Sequence, residues 1–232
     1  VRWMPMEKWD ACSFAVNPDD LEGRVCYGGL DLSSTTDITA FVLVFPPQDE
    51  DDKYAILPYF WVPEDTLELR VRRDHVPYDV WERQGFLQTT EGNVIHYGYI
   101  EKFIERLGEK YNIREIAFDR WGAVQMVQNL EGMGFTVVPF GQGFKDMSPP
   151  TKELMKLTLE ERLAHGGHPV LRWMMDNIYI RTDPAGNIKA DKEKSTEKID
   201  GAIATIMGLD RAIRCGNDTG ASVYDDRGIL FI

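Results

Sequence analysis

Cysteine is scarce in this sequence, and its positions exclude two common ways of stabilising a small domain. The 232 residues include three cysteines, Cys12, Cys26 and Cys215, which lie far apart and form no C-x-x-C pair. An odd number without metal-ligand spacing predicts reduced thiols, with neither a disulfide framework nor a zinc site. We therefore expect a protein of a reducing, cytoplasmic setting.

Positive charge is also in short supply. The sequence has 26 Lys and Arg against 38 Asp and Glu, which gives a formal net charge of −12. A protein that reads nucleic-acid sequence on its own normally carries a basic surface, so this balance counts against that class. It is compatible with an enzyme that collects divalent cations in an acidic site and receives its substrate from elsewhere.

Long apolar runs, a signal peptide and a nucleotide-binding P-loop are all missing from the sequence. No stretch approaches the length of a membrane span, and the pattern G-x-x-x-x-G-K-[ST] does not occur. Hydrophobic residues make up 43% of the chain and the mean hydropathy is −0.33. These values predict a soluble globular protein with one large domain or two small ones.

Three segments differ in character. Residues 1–24 are irregular and predict an interdomain linker or the tail of a preceding domain, packed through Trp3 and Trp9. The start at Val1 rather than at Met suggests a piece of a longer chain. Residues 25–215 carry the regular patterns of a folded domain, and residues 216–232 form a polar C-terminal tail.

The stretch Val25–Phe45, VCYGGLDLSSTTDITAFVLVF, organises the rest of the chain. Two β-rich runs flank the hydroxyl-rich residues 33–37, which predicts a hairpin. Asp31 lies inside the first run, where a charge is costly unless it is paired or metal-bound. Asp31 could instead cap the turn, although Asp37 suits that role better.

The remaining patterns predict an α/β domain. We expect strands at about 25–32, 38–46, 53–61, 113–118 and 135–140, a loop at 141–150, a hairpin of 178–182 with 188–190 around DPAGN, and helices at 64–73, 78–84, 99–111, 121–133, 151–164, 171–177 and 199–214. His165 and His168 are spaced like ligands, but such a pair more often caps a helix end.

Two further acids resemble Asp31 in their placement. Asp119 ends an apolar strand, and Asp200 lies in the first turn of the last helix beside its apolar stripe. If the first and fourth predicted strands are parallel neighbours, their ends lie about 4.8 Å apart and open into one crevice. Asp200 could also serve only the helix dipole. Three carboxylates without a Cys/His ligand set suit Mg²⁺ or Mn²⁺, and two such ions can hydrolyse a phosphodiester.

The segments GGLDLSSTTDITAFVLVF, IAFDRWGA and NIYIRTDPAGNIKADKEKSTEKIDGAIATIMGLDRA occur in an order that resembles the nuclease domain of the tailed-phage terminase large subunit, a DNA-packaging motor protein. The resemblance implies a ribonuclease H-like fold, with a central mixed sheet of three antiparallel strands followed by parallel strands and flanked by helices. It implies that Asp31, Asp119 and Asp200 bind the catalytic metal ions, with Asp37 as a helper. Some members have a His where this chain has Glu197.

The same resemblance implies a divalent-metal-dependent endonuclease that cuts concatemeric viral DNA during genome packaging, with two Mg²⁺ or Mn²⁺ ions. Its partners would be double-stranded DNA, an N-terminal ATPase domain, the small terminase subunit and the portal, with no membrane, in the host cell cytoplasm. We expect weak contacts to DNA phosphates from basic residues, namely Arg120, Lys145, Lys189, Lys192, Lys194 and Lys198. Acids interleave the lysine-rich run, so a solvated, self-paired surface is an equal alternative.

Two other classes remain open from the sequence. GLDLSSTTD also resembles the phosphate-binding hairpin of actin-like and sugar-kinase-type ATPases. Those proteins need two similar domains and a second glycine-rich phosphate loop, and this chain has neither the length nor that loop. A Holliday-junction-resolvase-type nuclease would share the acids and differ in its substrate.

Overall fold

The computed structural model describes residues 2–32, 38–119, 124–195 and 197–217. Its strands are β1 (Val25–Asp31), β2 (Thr39–Phe45), β3 (Tyr54–Pro63), β4 (Gln88–Thr90), β5 (Asn112–Asp119), β6 (Val137–Phe140), β7 (Leu163–Ala164), β8 (Ile180–Thr182) and β9 (Ile188–Ala190). Its helices are α1 (Met6–Asp10), α2 (Leu67–Asp74), α3 (Tyr78–Arg83), α4 (Tyr97–Lys110), α5 (Val124–Gly132), α6 (Phe144–Leu159), α7 (Pro169–Asn177) and α8 (Asp200–Cys215), with 3-10 turns at Pro18–Leu21 and Glu64–Thr66.

The sheet is mixed, and its strand order is β4-β3-β2-β1-β5-β6. Strands β1, β2 and β3 are antiparallel neighbours, whereas β5 is parallel to β1 and β6 is parallel to β5. The short strands β4 and β7 both pair with β3 in parallel. The predicted α/β class, with three antiparallel strands followed by parallel ones, is therefore confirmed.

Both faces of the sheet are covered, which explains why β2 is buried along its whole length. Its side chains alternate between two cores. Val42 and Val44 pack into the core that α6, α7 and α8 supply, and Phe41 and Leu43 pack into the one that α4 and α5 supply. Every residue from 200 to 210 is buried, so α8 is a central helix rather than a surface one.

Helix α8 approaches β1 unusually closely at Gly29. A Cβ atom at this position would overlap the backbone carbonyl oxygen of Ala204 and lie 2.7 Å from its carbonyl carbon. The same atom would lie 3.0 Å from the backbone nitrogen of Gly208. Because Gly29 and Gly208 have no side chains, the backbone of α8 contacts the backbone of β1 directly.

The prediction of a loop at 141–150 followed by a helix at 151–164 is wrong. Helix α6 begins at Phe144 and passes through Pro149 and Pro150. Met147, in the segment predicted as loop, is 1% exposed, so core packing outweighs the missing backbone donors of the two prolines. The helix ends at Leu159, and β7 takes the last two residues of the predicted helix.

The N-terminal segment from residue 2 packs against the rest of the domain. Trp9 is 1% exposed and its ring stacks on that of His165, with centroids 4.2 Å apart. Arg2 forms a salt bridge of 2.8 Å with Asp176 on α7. Helix α1 and the residues on either side of it therefore pack against α6 and α7. The sequence pattern did not predict this helix. Among the described residues, no helix has the length and apolar character needed to cross a membrane.

The two histidines of the turn at 165–168 cap and pack rather than forming a ligand pair. His168 is the N-cap of α7, and its Nδ1 accepts a hydrogen bond of 3.5 Å from the backbone N–H of Leu171. Its ring lies against Phe60 and Phe86, with centroids 5.3 and 4.9 Å away. The expectation of a helix cap is confirmed.

We expect His168 to make the domain sensitive to acid. Burial lowers the pKa of the His168 imidazole from 6.5 to about 4, and the charge of His165 adds to this effect. Between these values the unfolded chain binds more protons than the folded one, so the free energy of unfolding falls as the pH falls. The neutral His168 ring makes its full contribution to the free energy of unfolding above pH 6.5. That contribution, about 3 kcal/mol, is lost by about pH 4.

Urea denaturation at a series of pH values tests this expectation. The variant His168→Asn keeps a side chain suited to an N-cap and removes the titrating ring. Its free energy of unfolding should therefore fall less steeply than that of the wild type across the acidic range. Parallel pH profiles for the two proteins would contradict the assignment.

Candidate active site

Three acids named from the sequence lie at the ends of neighbouring elements. Asp31 is the last residue of β1, Asp119 is the last residue of β5, and Asp200 is the first residue of α8. Strands β1 and β5 run in parallel with Leu30 opposite Phe118, so both strands end at the same edge of the sheet. The expectation that these two strands are parallel neighbours is confirmed, and their carboxyl ends meet where open α/β sheets place their sites.

Asp31 and Asp200 are buried, at 1% and 7% exposure, and a lysine lies between them. The Lys192 Nζ donates to both Asp31 carboxylate oxygens, at 2.8 Å to Oδ2 and 3.2 Å to Oδ1. The same nitrogen is 3.9 Å from Oδ1 of Asp200. The position between the two carboxylates is therefore occupied by a positive charge.

Opposing effects set the protonation of these groups. Burial raises the pKa of the Asp31 carboxyl, and the Lys192 ammonium opposes that rise. The negative charge of Asp119 raises the same pKa further, whereas a hydrogen bond shared with the Asp200 carboxyl group lowers it. Burial disfavours the charged form of Lys192, but the carboxylates of Asp31 and Asp200 outweigh it and keep the lysine pKa above its ordinary value.

An open cleft of about 240 Å³ lies beside these groups. Asp119 and Lys192 are on its wall, so the third acid faces the same space as the lysine that binds the other two. The hairpin β8–β9 provides Arg181 and Lys189, which make part of the wall positively charged. The wall of the cleft thus combines Asp119 with basic groups suited to phosphate oxygens.

The segment that carries Lys192 is a well-bonded turn. The Oδ1 atom of Asp191 accepts hydrogen bonds from the backbone N–H groups of Glu193 and Lys194, at 3.0 and 3.2 Å. The Ser195 hydroxyl donates to the Asp191 carbonyl at 2.6 Å. Arg181 pairs with the buried Asp191 at 3.7 Å, which joins the turn to the hairpin.

The other residues named from the sequence are dispersed. Lys189 lines the cleft, with its Nζ 4.9 Å from the centre of the Phe144 ring. Lys145 is exposed on α6, and Lys194 is exposed beside the Tyr179 ring. Glu197 is exposed and Lys198 half-buried.

Two named positions and part of the first hairpin are outside the described residues. These are Asp37, the possible helper, Arg120, one of the possible DNA contacts, and the rest of the turn at 33–37.

Sequence reasoning did not single out Arg181 or Gln142, which also line the cleft. The hairpin signal DPAGN could have drawn attention to Arg181, since it fixes the register in which Arg181 pairs with Lys189. No local signal marks Gln142, which follows the end of β6.

The donor set suits a hard divalent cation, although its present arrangement holds the lysine. Carboxylate oxygens are the ligands that Mg²⁺ and Mn²⁺ prefer, and the Lys192 ammonium already lies between Asp31 and Asp200. Within the part of the chain that the structure describes, no three Asp, Glu, His or Cys side chains converge closely enough to hold a metal ion. A metal ion would need Lys192 to move.

The antiparallel unit β1–β3, the parallel strand β5 beside β1 and the helix that closes over them define the ribonuclease H-like class of α/β fold. A family model described as "Terminase large subunit, endonuclease domain" matches residues 1–215. The chain belongs to this family and is a nuclease domain of the terminase large subunit.

Relatives of known identity agree with this assignment. The large terminase subunit of Enterobacteria phage HK97 is 41% identical over 191 residues, which cover 82% of this chain and 38% of that protein. The crystal structure of the HK97 large terminase covers 90% of this chain and 43% of its own, with 37% identity and a TM-score of 0.82. The chain therefore spans less than half the length of this relative.

A more distant structure shares the fold alone. The large terminase nuclease from thermophilic phage G20c, crystallised with bound magnesium, is 13% identical. It covers 82% of this chain and 84% of its own, with a TM-score of 0.54.

Proposed function

We propose that this domain is a divalent-metal-dependent DNA endonuclease that cuts concatemeric viral DNA during genome packaging, by two-metal phosphodiester hydrolysis. The observation that carries the proposal is the meeting of two buried carboxylates, Asp31 and Asp200, at Lys192, which lines the same cleft as Asp119. Burying acids so close together is costly unless cations neutralise them, and the single charge of Lys192 cannot balance three carboxylates. In a terminase nuclease domain, a metal-binding role accounts for that cost.

Asp31, Asp119 and Asp200 would hold the ions in this proposal. Asp31 is the central ligand, because it interacts with both other acids, through the charge of Asp119 and a hydrogen bond shared with Asp200. When bound, Mg²⁺ or Mn²⁺ activates a water molecule and stabilises the leaving oxygen of the phosphodiester. The G20c nuclease with bound magnesium supports the choice of ion.

The chain itself contributes positioning and charge. Burial of Asp31 and Asp200 fixes their carboxylates, so the ligands are in place before substrate arrives. Arg181, Lys189 and Lys192 give the cleft positive groups for the phosphates on either side of the cut. Arg120, Lys145, Lys194 and Lys198 would add weaker contacts along the DNA backbone.

The larger assembly supplies what this domain lacks. Because the net charge of −12 repels phosphates, the domain alone should bind DNA weakly and with strong dependence on salt. An N-terminal ATPase domain, the small terminase subunit and the portal would deliver double-stranded DNA in the host cell cytoplasm. Residues 1–24 would join the nuclease domain, residues 25–215, to that motor, and residues 216–232 would form a tail.

A plasmid assay tests the proposal. The purified domain should nick and then linearise supercoiled plasmids of unrelated sequence with Mn²⁺ or Mg²⁺, because no base-reading element is proposed. Chelation by EDTA should stop the reaction, and added ATP should neither be hydrolysed nor change the rate. Absence of cleavage with every divalent ion, or ATP hydrolysis by the domain, would refute the proposal.

A further inference from the structure

The turn at residues 191–195 holds a lysine where a metal ion is expected. The Lys192 Nζ contacts both oxygens of one buried carboxylate and lies 3.9 Å from a second. This side chain is itself 46% exposed, although its charged end lies on Asp31. Lys192 also lines the cleft, so the same side chain faces both the acids and the open space beside them.

The position of Lys192 is built into the fold. Asp191 is 7% exposed, caps the turn through its Oδ1 atom and is paired with Arg181 through its Oδ2 atom. The backbone N–H of Asp191 donates to the Tyr179 carbonyl at 2.8 Å, which attaches the turn to the hairpin. A residue two positions along, Lys194, lies over the Tyr179 ring instead. One lysine of the charged run is therefore directed to the acids.

We propose that Lys192 is an internal counter-cation that competes with the first divalent ion for Asp31 and Asp200. This inference rests on the proposed function of the same site. An ion that bound those oxygens from the cleft would need the space and the lone pairs that the ammonium uses. Metal binding therefore requires Lys192 to leave the carboxylates.

The displaced lysine has a natural destination. It lines the same cleft as Arg181 and Lys189, where a DNA phosphate can accept its hydrogen bonds. In the absence of DNA the ammonium returns to Asp31 and lowers the affinity of the site for metal. Lys192 consequently weakens metal binding until DNA occupies the cleft.

Metal affinity of the free protein, measured without DNA, tests the inference. We expect Lys192→Met to bind Mn²⁺ about tenfold more tightly than the wild type, by isothermal titration calorimetry and by electron paramagnetic resonance of free Mn²⁺. Lys194→Met removes the same charge two residues away and should leave the affinity within about twofold of the wild type. Lys192→Arg keeps the charge and should not tighten binding. Circular dichroism should show each variant folded.

The outcomes separate this inference from the proposed function. Mn²⁺ binding that depends on Asp31 but is equal in wild type and Lys192→Met would overturn the competition and leave the metal site intact. An equal increase in Mn²⁺ affinity in Lys194→Met would also overturn the competition. The loss of one positive charge near the site would then explain the effect of both substitutions. If no variant shows binding that Asp31→Asn abolishes, the metal site itself is refuted, and the competition is refuted with it.

Discussion

Replacement of Asp31 by Asn is expected to lower the rate of plasmid cleavage by about a thousandfold or more while leaving the domain folded. Asn keeps the size of the side chain and removes the charge that would hold a metal ion. Asp31 interacts with Asp119, Asp200 and Lys192, so its neutralisation affects the other two acids and the lysine bound to them. Cleavage should be measured at saturating Mn²⁺ and repeated with Asp119→Asn and Asp200→Asn.

The stability of these variants distinguishes a metal-binding role from a structural one. Neutralising one of several crowded acids relieves repulsion, and Lys192 is half exposed and can be hydrated when it loses its partner. The melting temperature should therefore stay within a few degrees of the wild type or rise. Glu105→Gln removes one charge from the exposed face of α4 and provides the matched control for net charge. Cleavage by Asp31→Asn within about tenfold of wild type, or unfolding of all three Asp variants, would contradict the assignment.

Gly29→Ala is expected to destabilise the domain by about 3 kcal/mol or more, a large part of the stability of an ordinary domain. The added methyl group overlaps the backbone carbonyl oxygen of Ala204, and a helix backbone cannot rotate out of the way as a side chain can. Either α8 or β1 must shift in the middle of a close-packed core. Urea denaturation followed by circular dichroism measures the loss.

Gly98→Ala is the control for this substitution. Gly98 lies in α4, is exposed, and has nothing within 4 Å of an added Cβ. Gly98 is the second residue of α4, so alanine should stabilise the protein by no more than the value for a helix interior, about 0.5–1 kcal/mol. A Gly29→Ala protein with the same denaturation midpoint as the wild type would show that α8 is not in direct contact with β1.

The close contact at Gly29 also bears on the candidate site. Gly29 lies two residues before Asp31 on β1, and Ala204 lies one helical turn after Asp200 on α8. A shift between the two backbones would therefore move the two carboxylates relative to one another. A partly folded Gly29→Ala protein should lose cleavage even at temperatures where most of its helix remains.

Much of the sheet could be predicted because its signals are local. The runs 25–32, 38–46 and 53–61 stand within two residues of β1, β2 and β3, since continuous apolar runs between polar turns define buried strands. The placement of Asp31 and Asp119 at one edge required a further rule, that parallel strands end together. Helix α8 was found from its apolar stripe to within one residue at each end.

The features that the sequence analysis missed share a physical cause. They depend on contacts between distant parts of the chain, which a local sequence pattern does not show. The local pattern predicts a loop at 141–150, where Met147 is buried and α6 is formed. Strands β4 and β7 have three and two residues, too few to show any period. The contact between Lys192 and Asp31 joins residues 161 positions apart, so the lysine could only be named as one of several basic residues.

The distance in sequence between Asp31 and Lys192 also determines the order in which the parts of the candidate site are synthesised and folded. Because the ribosome makes the chain from its N-terminus, β1 and Asp31 emerge long before the turn at 191–195 and α8. Until α8 arrives, the face of β1 and β2 that it covers is unprotected, and the pairing of distant segments makes the final step slow. A nascent chain carries one acid of the candidate site without its lysine or its helix. Nuclease chemistry can therefore begin only after nearly the whole domain has been synthesised and its last helix has docked.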